Sequence, residues 1–233
     1  MATLSYSARR EDLTTYFDRT AVEAWKRLTS NAPVGRVRAT VRAGRDEMRA
    51  TLLSWLPSDL RGARVLDAGC GTGALAVEAA RRGANVLAID VSPNLIGLAN
   101  ERAPKDLGAG EVAFAVGDML DSRHGAFDFA VAMDSLIHYE GADIALAIAA
   151  LSRRVGRSIL FTVAPRTPAL TMMHAAGKFF PRSNRAPAIV PIGRVDLASR
   201  LSTNADLADW RQARSHRVSR GFYVSQAIEV TRR

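Results

Sequence analysis

Residues 65–76 read VLDAGCGTGALA. A short apolar run ends in Asp67, and Gly69, Gly71 and Gly73 follow at alternate positions. This is the pattern of a strand, a tight turn and the start of a helix. Such a unit presents backbone N–H groups and lets a ligand approach the main chain closely. Residues 69–74 also satisfy the relaxed pattern G-x-G-x-x-A, so a nicotinamide-dependent oxidoreductase is one reading. A turn that serves only the fold is another.

The acid before the glycines narrows the choice. Asp67 stands at the strand end, where a pyrophosphate would be repelled and an ammonium group attracted. Asp90 ends the next apolar run, NVLAID, where a carboxylate can accept both hydroxyls of a ribose. Gly117-Asp118-Met119 follows the third run. There the short acid can accept from an adenine amino group while Met119 packs on the ring. Three acids at three successive strand ends suit a ligand with an ammonium, a ribose and an adenine, and without phosphate. S-adenosylmethionine has that make-up.

The rest of the chain supports an α/β fold. Residues 9–29 and 36–55 have helical apolar spacing, with Pro33 and Gly35 between them. From residue 63 to 164, strands alternate with helical periods, which implies a parallel sheet covered on both faces. Ser92 and Pro93 have the chemistry of an N-cap and a first helical position. Residues 210–219 and 222–231, hinged at Gly221, read as an antiparallel pair. The N-terminal residues MATLSYSARREDL lack the apolar stretch of a secretory signal. The run IALAIAAL at 144–151 is too short to span a bilayer. A single cysteine, Cys70, excludes an intrachain disulfide, and a cytoplasmic protein, or one held peripherally at a membrane, is expected.

The net charge of +9 resembles a nucleic-acid signal until it is divided along the chain. Residues 1–64 carry +5, residues 65–152 carry −7 and residues 153–233 carry +11. The glycine turn lies in the acidic part. The basic flanks could meet an anionic ligand, an acidic protein or a membrane surface.

The series DAGCGTG, AID, GDM and FDFAVAMD resembles the class I S-adenosylmethionine-dependent methyltransferases. That resemblance implies a Rossmann-like, seven-stranded, mostly parallel sheet with an antiparallel last strand. A narrower resemblance, to the magnesium protoporphyrin IX O-methyltransferases of (bacterio)chlorophyll synthesis, rests on YFDRTAVEAWKRL at 16–28, VRAGRDEMRATLLSWL at 41–56, DSLIHY at 134–139 and HRVSRGFYVSQAI at 216–228. It implies an N-terminal helical arm over 1–60, a core over 61–233 and a lid-like insertion at 164–192 after the fifth strand. It further implies cofactor contacts from Asp67, Gly69, Gly71, Thr72, Gly73, Asp90, Val91, Asp118, Met119, Asp134 and Ser135. His138 and Tyr16 are then the residues helpful to catalysis. A magnesium chelatase subunit becomes a candidate to deliver the porphyrin.

The macrocycle is large, flat and apolar, with two propionates on one edge. Residues 164–192 hold five of the nine prolines, a Met pair, a Phe pair, four basic groups and no acid. Met172 and Met173 could cover the ring, and Arg182 could meet a carboxylate. Arg38, Arg42, Arg45 and Arg49 recur at spacings of four, three and four, and so share one helix face, where Arg38, Arg42 and Arg45 could bind a propionate of the substrate. A solvated basic face and a mobile loop are the alternatives for these two features. The four histidines lack ligand spacing, so no protein metal site is expected. A nucleic-acid methyltransferase would use the basic flanks, but Asp134-Ser-Leu-Ile replaces the Pro-Pro-Tyr type of motif used on adenine. A non-catalytic cofactor-binding partner protein is a further reading.

Overall fold

A computed structural model of the chain describes residues 4–20, 35–166 and 188–233. Seven strands form one sheet: β1 (Arg64–Ala68), β2 (Asn85–Asp90), β3 (Glu111–Val116), β4 (Phe127–Ala132), β5 (Val155–Val163), β6 (Trp210–Arg220) and β7 (Tyr223–Arg232). Their order is β3-β2-β1-β4-β5-β7-β6, and β7 alone runs against its neighbours. The reversal of order lies between β1 and β4, where a parallel sheet opens a crevice at its C-terminal edge. Strands β1, β2, β4 and β5 are largely buried, as their runs of apolar residues require, whereas the edge strand β3 is only partly covered. Val65 and Leu160 pack on one side of the sheet, and Leu66, Ile159 and Phe161 on the other.

The described helices are α1 (Leu4–Thr15), α2 (Arg36–Trp55), α3 (Ala74–Arg81), α4 (Pro93–Arg102), α5 (Gly141–Ser152) and α6 (Arg194–Ser202). One apolar layer joins α1, α5 and α6 to the sheet, and the other joins α2 and α3 to it. Helix α2 spans the residues its periodicity predicts. It buries Met48, Leu52 and Leu53, and brings Gly44 so close to Tyr223 that a Cβ there would lie 2.5 Å from the ring. Ser92 accepts a hydrogen bond from the Leu95 N–H, with Pro93 beginning α4, as expected. Both arms of the β6–β7 hairpin form as read.

Two elements depart from the sequence reading. The first helix begins at Leu4 and passes into a π-helical turn at Tyr16–Thr20. Tyr6 and Leu13, seven residues apart, are its buried contacts, and its many polar residues hide this start. The remainder of the expected helix, 21–29, lies outside the described residues. Helix α6 was not foreseen; it rests on Leu197 and Leu201, one turn apart. The ends of the insertion are described. Pro165 bridges Ile192, and the Val190 N–H donates to the Ile137 carbonyl, so the chain leaves and re-enters beside the C-terminal edge of the sheet. Met172, Met173 and Arg182 lie outside the described residues.

Candidate active site

A cavity of about 330 Å³ opens at the C-terminal ends of β1, β2 and β4. That volume is at the lower end of ligand pockets and suits a nucleoside-sized guest. Among the residues expected at a cofactor, Asp67, Gly69, Gly71, Thr72, Asp90, Val91, Met119, Asp134 and Ser135 line it. Gly73 does not; it supports the turn from behind, where an added Cβ would fall 2.4 Å from the Phe114 ring.

Asp67 is 2 % exposed, and its Oδ2 has no hydrogen-bond partner. Burial pushes its pKa up to about 7, partly offset by the Ala76 N–H in the first turn of α3. The Ser135 Oγ is likewise buried without a partner and lines the same cavity. Two orphaned polar atoms in one buried pocket are costly unless a ligand meets them. For Asp67 the fitting ligand group is a cation, because ionisation in that setting needs a counter-charge. Asp90 is also buried and its pKa raised by desolvation. Its Oδ2 accepts from the Gly71 N–H at 2.8 Å and its Oδ1 from the Ser92 N–H at 2.9 Å. Carboxylate oxygens accept more than one bond each, so room for a diol remains.

The glycine turn does not offer the open N–H groups that its sequence suggests. Gly69 and Cys70 donate to the Ile89 carbonyl, Gly71 to Asp90 and Gly73 to the Cys70 carbonyl. A pyrophosphate would find these donors spent and Asp67 beside it. The nicotinamide reading loses its physical basis. The glycines serve space instead. Gly69 has φ +82° and a Cβ there would lie 2.4 Å from that of Ser135, whereas Gly71 has φ +55° and only open space before it. Burial and the nearby acids push the Cys70 thiol up, so it stays neutral.

Three expected residues take other positions. Asp118 does not line the cavity: its carboxylate accepts from the Tyr6 hydroxyl at 2.9 Å, from Arg10 at 2.5 Å and from the Leu120 N–H at 2.9 Å. It straps α1 down, and Tyr6, stacked on Tyr139 at 4.8 Å, forms the wall with Met119. Tyr16 does not line the cavity either. Its ring meets Phe17 edge-on, and Phe17 holds the place at the wall, 6.0 Å from the His138 ring. Arg38 is exposed near the start of α2, away from the cavity. Tyr6, before the helix read at 9–29, Phe17 within it and Tyr139 in the loop after β4 were missed because a lone aromatic residue carries no sequence signal for a cavity wall.

His138 ends a 3-10 turn at Leu136–His138, is buried, and lines the cavity. Its Nδ1 lies 3.4 Å from the Ala188 carbonyl oxygen. Arg42, Arg45 and Arg49 line the cavity from α2, with Asp46 among them. Arg49 pairs with Asp46 at 2.8 Å and Arg45 with Asp134 at 2.9 Å. Asp134 is therefore no open acceptor for the cofactor, for the Tyr223 hydroxyl also donates to it at 3.0 Å and Thr162 at 3.3 Å.

The comparisons with known proteins agree with this geometry. Residues 65–157 match a model described as a methyltransferase domain, and residues 132–232 one described as the C-terminus of magnesium-protoporphyrin IX methyltransferase. The chain is 49 % identical over 225 residues to the magnesium-protoporphyrin O-methyltransferase of Rhodobacter capsulatus, covering 96 % of this chain and 97 % of that one. It belongs to the magnesium-protoporphyrin O-methyltransferase family. The chloroplastic magnesium protoporphyrin IX methyltransferase of Arabidopsis thaliana is 29 % identical over 95 % of this chain and 70 % of its own. Among solved structures, the magnesium protoporphyrin IX methyltransferase of Synechocystis with bound S-adenosylhomocysteine superposes with a TM-score of 0.82 at 28 % identity, covering 96 % of this chain and 99 % of the other. The family's Rossmann-like class I methyltransferase fold is thus the fold of this chain. Among the described residues, no helix is long and apolar enough to cross a membrane.

Proposed function

We propose that the protein transfers the methyl group of S-adenosylmethionine to a propionate of magnesium protoporphyrin IX, releasing the monomethyl ester and S-adenosylhomocysteine in (bacterio)chlorophyll synthesis. The observation that carries this reading is the polarity of one cavity. Orphaned Asp67 and the diol-ready Asp90 line it from the strand ends, and the basic residues Arg42 and Arg49 line it from α2, where Arg45 is held by Asp134. A cationic donor is drawn to the acids, and an anionic acceptor to the basic residues of α2.

When bound, the cofactor supplies an electrophilic methyl on a sulfonium. Asp67 receives its ammonium, Asp90 its ribose, and Met119, Tyr6 and Tyr139 flank its adenine. The cavity holds the cofactor, and the macrocycle takes the space outward, toward the described ends of the insertion and the arm. A propionate has an ordinary pKa of about 4.3 and is already ionised at neutral pH, so no general base is required. The protein's work is to align oxygen, carbon and sulfur and to exclude water. His138 lines the cavity beside Ser135, where its ring can orient the propionate.

Incubation of the purified protein with both substrates should yield a porphyrin one methyl heavier by mass spectrometry. An unchanged porphyrin alongside tight cofactor binding would point to the non-catalytic reading. His138→Ala should slow turnover by roughly 10- to 1000-fold through misalignment while calorimetric cofactor affinity stays near normal. Tyr16→Phe should cost less than about tenfold, because Phe17 holds the wall position. Delivery by a magnesium chelatase subunit and peripheral membrane contact belong to the same reading. Their support is the charge of the flanks, +5 over residues 1–64 and +11 over residues 153–233. Flotation with anionic vesicles at low and high salt tests the membrane contact.

A further inference from the structure

Arg45 and Asp134 meet at the cavity wall, one from α2 and the other from just beyond β4. Their side chains are 23 % and 6 % exposed, so the pair is poorly screened by solvent. Asp134 has φ 54°, an uncommon backbone for a residue other than glycine. It is held there by donors from separate elements: Thr162 on β5, which also accepts from the Asp134 N–H at 2.7 Å, Tyr223 on β7 and Arg45 on α2. Ser135 and His138 follow in the same loop.

The reaction gives this ion pair a chemical consequence. A propionate oxygen forms a bond to the methyl carbon as the carbon–sulfur bond breaks, and that bond's electron pair passes to sulfur. The carboxylate loses its negative charge and the sulfonium its positive one. A guanidinium forked onto the reacting carboxylate would withdraw charge from the nucleophile and stabilise the ground state more than the transition state. An unpaired aspartate in its place would repel the substrate. Paired, the two present a nearly neutral wall with directed N–H groups. We propose that Asp134 is a positioning residue for methyl transfer: it holds Arg45 in an ion pair and so keeps the guanidinium from clamping the reacting propionate. The proposal rests on the propionate reading above.

Steady-state kinetics of the full chain with magnesium protoporphyrin IX test it. Asp134→Asn keeps an acceptor for the Tyr223 hydroxyl but removes the anion that holds Arg45 away from the substrate. It should lower the porphyrin KM about three- to tenfold and kcat at least about tenfold, a split that simple loss of structure does not give. Cofactor affinity by calorimetry should not change. Adding Arg45→Met should restore most of the lost kcat. Arg45→Met alone leaves Asp134 without its counter-ion and should raise the porphyrin KM about tenfold or more. A kcat loss in Asp134→Asn that comes with raised KM or weakened cofactor binding, or that Arg45→Met does not relieve, would overturn the proposal, as would an unchanged kcat. If Asp134→Asn lacks a native near-UV spectrum, Arg45→Met decides, and an unchanged KM in that variant refutes the idea. A wild-type chain that binds cofactor but leaves the porphyrin unmethylated would overturn the substrate reading and this proposal with it.

Discussion

Replacing Asp67 by asparagine should abolish useful binding of S-adenosylmethionine while leaving the fold intact. Removing one partner of a buried, hydrogen-bonded charge pair costs about 2–5 kcal/mol, or roughly 30- to several-thousand-fold in affinity. The same change should not harm the cofactor-free protein, since the carboxylate it removes is desolvated with one oxygen unpartnered. The sign with pH follows from a pKa pushed up to about 7 in the fold from an ordinary value near 3.8. Between those values the folded state holds a proton that the unfolded state has released. Stability of the cofactor-free protein should therefore decline as pH rises from about 4 to about 7, and Asp67→Asn should remove that part of the decline. Cofactor affinity should move the other way. It should weaken as pH falls below about 7, because the ammonium needs the ionised acid. Thermal melts and calorimetric titrations across this range check both slopes. Unaltered affinity in the variant would remove Asp67 from the site.

Gly69→Ala should cost both stability and binding. Its φ of +82° penalises an L side chain, and the new Cβ would press to 2.4 Å from that of Ser135. Left-handed backbone at about 1–2 kcal/mol and overpacking at about 1–3 kcal/mol together predict a Tm lower by roughly 5–15 °C. The displaced Ser135 also lines the cavity, so cofactor affinity should fall as well. Gly71→Ala supplies the contrast. Nothing lies within 4 Å of its added Cβ, and the residue lines the cavity. That variant should melt within a few degrees of wild type, with the backbone cost alone at about 1–2 kcal/mol, yet bind the cofactor poorly. Equal losses of stability in the two variants would mean that strain in the turn, and not the space it keeps, sets the outcome.

The sequence by itself determined the sheet and the helix packed beside each glycine or serine turn. These depend on local causes: period-two and period-3.6 apolar spacing, the Ser92-Pro93 cap, and glycines where φ must be positive. It also placed Asp67 and Asp90 correctly at strand ends, because strand length alone fixes where a strand stops. The destinations of the other polar groups were not legible. Whether Asp118 faces an adenine or a strap depended on Tyr6 and Arg10, more than a hundred residues away in the chain. Whether Arg45 reaches a substrate or an acid depended on Asp134, and Asp134 in turn on Tyr223, each 89 residues further along. The N–H groups of the glycine turn looked open only because their acceptors, Ile89 and Asp90, come from the neighbouring strand. A hydrogen bond or ion pair is satisfied by whichever partner the packing of the sheet brings within about 3 Å, and sequence distance carries no information about that. The tertiary structure alone decided which acids remain for a ligand, and among the described residues Asp67 is the acid left with a buried, unpartnered oxygen.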